Sequence, residues 1–160
     1  MSGRPSEPCG VLPPGLIKNV EKLKRWFGGC WPSFHDAEVV ELHYWRGEVA
    51  PGDWVDSNIF PRLTVKLRIL EATQTNAAGS GSDVLATLRF HDVSDFSMKD
   101  FNHVNQIVDL SIGTEERGHF SSGGRLPPYI VVSFEPGFGM QGRFRCFGIE
   151  VLDATPVNRP

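Results

Sequence analysis

Two hydrophobic periods divide the chain. Between Gly15 and Phe27 the apolar residues fall at positions 16, 17, 20, 23, 26 and 27, with Lys18, Glu21, Lys22, Lys24 and Arg25 on the polar side. This i, i+3, i+4, i+7 spacing predicts an amphipathic helix. Pro13-Pro14 suits its entry and Gly28-Gly29 its end. Leu16, Val20, Leu23 and Phe27 are expected to lie against a sheet. Beyond the helix the period drops to two, and strands are predicted over 37–46, 62–70, 84–90, 107–112, 129–134 and 141–152. In 62–70, Leu63, Val65, Leu67 and Ile69 oppose Thr64, Lys66 and Arg68; in 84–90, Ala86, Leu88 and Phe90 oppose Thr87 and Arg89. One buried and one wet face is the antiparallel pattern. In the last strand the inward set shifts from Phe144 and Cys146 to Ile149 and Val151, which predicts a β-bulge near Gly148.

The stretches Thr73–Asp83 and Glu115–Pro128 are polar and rich in turn residues, and are expected to be exposed loops. Neither flanking half has enough strands to close a core alone. The expected organisation is therefore a short flexible leader, 1–14, and a single domain, 15–160. Its fold class is α+β, mainly β: an antiparallel sheet of about six strands with one N-terminal amphipathic helix packed on it.

Composition narrows the functional classes. The net charge of −3, with no stretch that joins Lys and Arg to aromatics, argues against a nucleic-acid partner. The longest apolar run is only a few residues, against the roughly 20 that span a bilayer, so no membrane partner is expected. Met1–Pro14 is interrupted by Pro, Gly and charge where a signal peptide has an apolar core. Cys9, Cys30 and Cys146 form an odd, sparse set without a CxxC pair. They are expected to be reduced thiols in a cytoplasmic protein, with Cys146 a small core residue.

Candidate chemistry centres on a tripeptide that occurs twice, Phe34-His35-Asp36 and Phe90-His91-Asp92, with Asp95, Asp100 and His103 nearby. Imidazole and carboxylate are the ligands of borderline metals and the groups of acid–base catalysis near neutral pH. His35, Asp36, His91, Asp92 and His103 are thus the set for a metal-binding protein or metal-dependent hydrolase. The competing reading is structural: Asp36 and Asp92 hold turns at opposite strand ends, and the spacing matches no HxH or HExxH motif. That reading is the stronger, and no cofactor is expected. Ser33 beside His35 lacks a GxSxG elbow. The glycines of Pro136-Gly137-Phe138-Gly139-Met140-Gln141-Gly142 precede a strand rather than a helix, which suits a tight turn better than a phosphate loop. Trp54, in a polar loop beside Asp53 and Asp56, reads equally as an interface anchor or a lid on the core edge.

Several segments together carry a family resemblance. Trp31-Pro32-Ser33-Phe34-His35-Asp36-Ala37-Glu38-Val39, then Leu88-Arg89-Phe90-His91-Asp92-Val93, then Phe101-Asn102-His103-Val104-Asn105 and Phe144-Arg145-Cys146 resemble the bacterial immunity protein 50 family. The match runs over about residues 16 to 155, and WPSFHDAEV is its most specific piece. Members are small cytoplasmic proteins encoded beside polymorphic-toxin genes. The resemblance implies a non-enzymatic antidote that binds and neutralises a cognate protein toxin; it assigns no toxin-contacting residue. Trp54, Asp53, Asp56, Asp95 and Asp100 are the partner-binding candidates, the acidic ones because they would meet a basic toxin surface.

Overall fold

The structure is a computed structural model and describes residues 15–47, 60–70 and 82–158. Among the described residues nine strands and one short helix follow each other as β1 (Ile17–Lys18), α1 (Glu21–Lys24), β2 (Glu38–Trp45), β3 (Arg62–Ile69), β4 (Ser82–His91), β5 (Ser94–Lys99), β6 (Gln106–Glu115), β7 (Tyr129–Phe138), β8 (Gln141–Cys146) and β9 (Gly148–Asn158). They form one sheet in the order β1-β9-β4-β3-β2-β6-β7-β8-β5. It is mixed, because β1 runs parallel to β9 while the other pairs are antiparallel.

The alternation in β3 and β4 is realised as read: Leu63, Val65, Leu67, Ile69, Ala86, Leu88 and Phe90 are buried. Their wet face carries cross-strand polar pairs, Lys66 with Glu41 at 3.1 Å and Arg89 Nε donating to Thr64 Oγ1 at 3.1 Å. At the far end of this face Arg68 pairs at 2.8 Å with Asp83, a fully buried aspartate. Strands β2 and β6 meet at one register pair, Glu38 with Gln106, reinforced by Val39 N to Asn105 O and Ile107 N to Ala37 O. The sheet folds over at this narrow joint, and side chains of its two halves meet inside. Phe90 of β4 packs edge-on against Phe144 of β8 with centroids 4.9 Å apart, and Tyr44 of β2 lies 4.9 Å from Phe96 of β5. Phe34, Phe90, Phe134 and Phe144 are the largest buried side chains of this core.

Three expectations are corrected. The helix predicted over 15–27 is reduced to Glu21–Lys24. Asn19 takes a left-handed φ of 58°, and Ile17–Lys18 pair instead with Ile149–Glu150 of β9. Even so, Leu23 and Phe27 are buried, and Trp26 Nε1 donates to Ala154 O at 3.0 Å, so the segment covers β9 as an irregular turn. Second, nine strands replace about six: β1 and β5 were unread, and the single strand expected over 141–152 is two. The chain leaves β8 at Cys146 and crosses at Phe147 to the other half, where β9 pairs with β4. The phase shift comes from this crossing, and a register shift in the β4–β9 ladder lies further on, where Thr87 faces Asp153 and Leu88 faces Val151. Third, Cys30 is disulfide-bonded rather than reduced. Cys146 is free and buried, and desolvation pushes its thiol up to about 12. Among the described residues no helix is long and apolar enough to cross a membrane, which says nothing of a β-barrel.

Candidate functional site

One end of the sheet lines up residues from four strands in a single row. Trp45 of β2 faces Arg62 of β3, Arg62 faces His91 of β4, and His91 faces Gly148 of β9. Directly opposed residues share a face, here the wet one, since Leu63 and Phe90 beside them point into the core. Two residues along β9, Glu150 brings its Oε2 to 3.1 Å from His91 Nε2, and Lys18 of β1 is its register partner. Arg62 stacks its guanidinium 4.3 Å from the Trp45 ring centroid.

This row ends where the chain twice passes between the halves of the sheet. The β4–β5 passage turns at Asp92 and the β8–β9 passage at Phe147, and Phe147 N donates to His91 O at 3.0 Å. The two crossings leave an open cleft of about 510 Å³ whose walls include Lys18, Trp45, Phe60, Arg62, Asp92 and Phe147. Phe60 and Phe147 are 59% and 42% exposed at its rim, too much apolar surface to belong to the core. Phe147 also joins the cleft to a second stack. Its ring lies 5.3 Å from that of Tyr129, and Arg117 sits over both, 4.7 Å from Tyr129 and 4.9 Å from Phe147. Arg145 covers Tyr129 at 4.9 Å while bonding Asp95 and Glu115. The Glu115 hydrogen bond is the main cause that raises the Arg145 pKa. At such exposed sites each guanidinium–ring contact is weak, but it holds a long side chain in one place.

The sequence-nominated residues fall into separate places. Both Phe-His-Asp tripeptides are turns: Asp36 and Asp92 have φ of 61° and 57°, the left-handed region that aspartate tolerates better than most residues. The first turn leads into the β2–β6 joint, with Ala37 N bonded to Phe34 O and His35 N to Ser33 Oγ. The second makes the β4–β5 passage. His35 pairs with its neighbour Asp36 at 3.0 Å, His91 pairs with Glu150, and His103 is exposed on the β5–β6 connection. No group of three or more His, Cys, Asp or Glu is arranged to hold a metal ion among the described residues. Asp95 is bonded to Arg145, and Asp100 sits at a left-handed turn with its carbonyl accepting from Asn102 Nδ2. Trp54, Asp53 and Asp56 lie outside the described residues.

Sequence reasoning passed over Phe60, Arg62, Phe147, Tyr129, Arg117, Arg145 and Glu150. Their only local signal was apolar or aromatic residues placed where strands end, at Trp45, Phe60 and Phe147. Chemically the cleft offers a His–carboxylate pair, the stacked Arg62 guanidinium and apolar rings, and among the described residues its walls hold no Ser, Thr or Cys nucleophile. Aromatic and arginine side chains held rigid at a rim are what protein interfaces concentrate.

A family model described as "Immunity protein 50" matches residues 19–157. No curated protein matches the chain, and no solved structure does.

Proposed function

The chain belongs to the immunity protein 50 family, and from that premise we propose that it is a non-enzymatic immunity protein that binds a protein toxin and neutralises it. The family match over 19–157 carries this reading. The rim of Phe60, Phe147, Tyr129 and arginines supports it, because exposed aromatic surface on a well-paired sheet suits a partner more than a substrate. The proposed site of action is the cytoplasm. The Cys30 disulfide is the observation that pulls the other way, since reducing compartments keep such bonds open.

The test is co-expression with the product of the adjacent gene, scoring growth and co-purification. Restored growth together with a stable 1:1 complex, burying about 1,200–2,000 Å² in total, is the expected result. Toxicity that persists, with no complex recovered, overturns the proposal.

A further inference from the structure

The aromatic–arginine ledge around the sheet corner holds two guanidiniums that no carboxylate of the described residues engages. The chain carries −3 overall. On the ledge the carboxylates of Asp95 and Glu115 share the single Arg145, that of Glu150 faces His91, and Asp92 and Lys18 both line the cleft. Arg62 and Arg117 have rings beneath them and no carboxylate partner among the described residues. A guanidinium stacked on a ring directs its N–H edge outward, where it can hydrogen-bond a carboxylate. On Arg117 one of these groups, Nη1, already donates to Pro127 O at 3.4 Å. Both arginines are already immobilised, so binding would cost less side-chain entropy than ordering free arginines.

The platform beneath them is rigid. Arg62 stands in the cross-strand row from Trp45 to Gly148, and Phe147, on which Arg117 rests, is tied by its backbone to His91. Phe147 belongs both to the cleft and to the stack, so the two arginines flank one continuous surface.

We propose that this ledge, with Trp45, Phe60, Phe147 and Tyr129 as apolar anchors and Arg62 and Arg117 as paired clamps, is where the toxin docks, and that it receives an acidic segment of that toxin. The inference rests on the immunity reading and adds the surface and the sign of the partner's charge. It places the electrostatic contact opposite to that suggested by the sequence, where acidic residues were to meet a basic toxin.

The experiment measures affinity for the adjacent-gene toxin by calorimetry, with the full chain and two variants. Arg62→Glu combined with Arg117→Glu reverses both clamps on half-exposed residues, and the melting temperature checks that the fold survives. Phe138→Ser alters the most exposed phenylalanine, 71% accessible, on β7, whose partner Gln106 pairs with Glu38 at the opposite end of β2 from Trp45. The double reversal is expected to weaken binding by about 100-fold or more, and Phe138→Ser to leave it unchanged. Wild-type affinity should also fall as salt rises, and that of the double variant much less. Binding by the double variant at wild-type strength, or tighter, overturns the ledge while leaving the immunity reading intact. Phe60→Ala gives an uncharged check: it is expected to weaken binding about tenfold, and no loss there removes the apolar anchor. Failure of the wild-type protein to bind at all overturns the immunity reading, and the ledge falls with it.

Discussion

Asp36 and Asp92 follow the same two residues, Phe-His, and adopt nearly the same backbone, with φ of 61° and 57°. Their side chains differ in company, since His35 bonds Asp36 whereas His91 turns to Glu150. A shared backbone with unshared side-chain partners identifies the conformation as the common requirement. Replacing either aspartate by Gly is accordingly expected to leave thermal stability nearly unchanged. Val, which crowds the left-handed region, should cost about 1–2 kcal/mol at each site in urea unfolding. Equal losses for Gly and Val would show that the carboxylate itself is needed. Cys146 presents a second residue-scale case. Burial pushes its thiol from the ordinary cysteine value of 9.0 up to about 12 in the folded chain. Between those values the unfolded state holds fewer protons, so this group's contribution to stability is intact below 9.0 and declines as pH rises toward 12. Urea unfolding across that window should show a downward slope that is shallower in Cys146→Ala.

Among the elements, the β3–β4 pair carries the most regular ladder, running from Arg62 with His91 to Ile69 with Val84. At its far end Arg68 reaches Asp83, whose side chain is 1% exposed. Arg68→Met removes a charged hydrogen-bond partner from this buried carboxylate and should destabilise the fold by about 1.5–3 kcal/mol. A chemical-denaturation midpoint equal to wild type would show that Asp83 is held by its other contacts. The connection after β7 depends similarly on backbone shape. Gly139 has φ of 101°, and a Cβ there would stand 2.5 Å from Val104 O, which explains why this turn needs glycine.

At the scale of the whole molecule, the strand order weaves the ends of the chain together. β9, last in sequence, pairs with β4 and β1, while β8 beside it in sequence pairs with β7 and β5. The half made of β5 to β8 is therefore one continuous stretch, whereas the other half joins β1 to β4 with β9 from the far end of the chain. Truncation after Phe147 is expected to abolish cooperative thermal unfolding followed by circular dichroism, because β4 would lose a ladder partner and Leu88 and Phe90 part of their cover. A sharp transition in the truncated chain would mean that β9 is an accessory edge. The same interweaving builds the candidate site, since its walls come from β1, β2, β3, β4, β9 and the β8–β9 passage.

Much of the fold was legible in the chain. Six strand positions, the inward residues of β3 and β4, the burial of Cys146 and the turn at the glycine-rich segment follow from period-two alternation and turn chemistry, which are local properties. The segments that resemble the immunity protein 50 family were legible too. The helix was misread because helical spacing also satisfies an irregular turn that presents Leu23 and Phe27 to a neighbouring strand. β5 escaped because Ser94–Lys99 alternates around Phe96 and Met98 with little hydrophobicity, and its pairing with β8 is a long-range event. The site itself was almost invisible. Trp45, Arg62, His91, Phe147 and Glu150 are brought together by register across strands far apart in sequence, and no local pattern encodes which strand lies beside which. Sequence determined which residues seek the core and where the chain turns. Tertiary structure decided which exposed rings and guanidiniums share a surface, because that depends on pairing energies summed over the whole sheet.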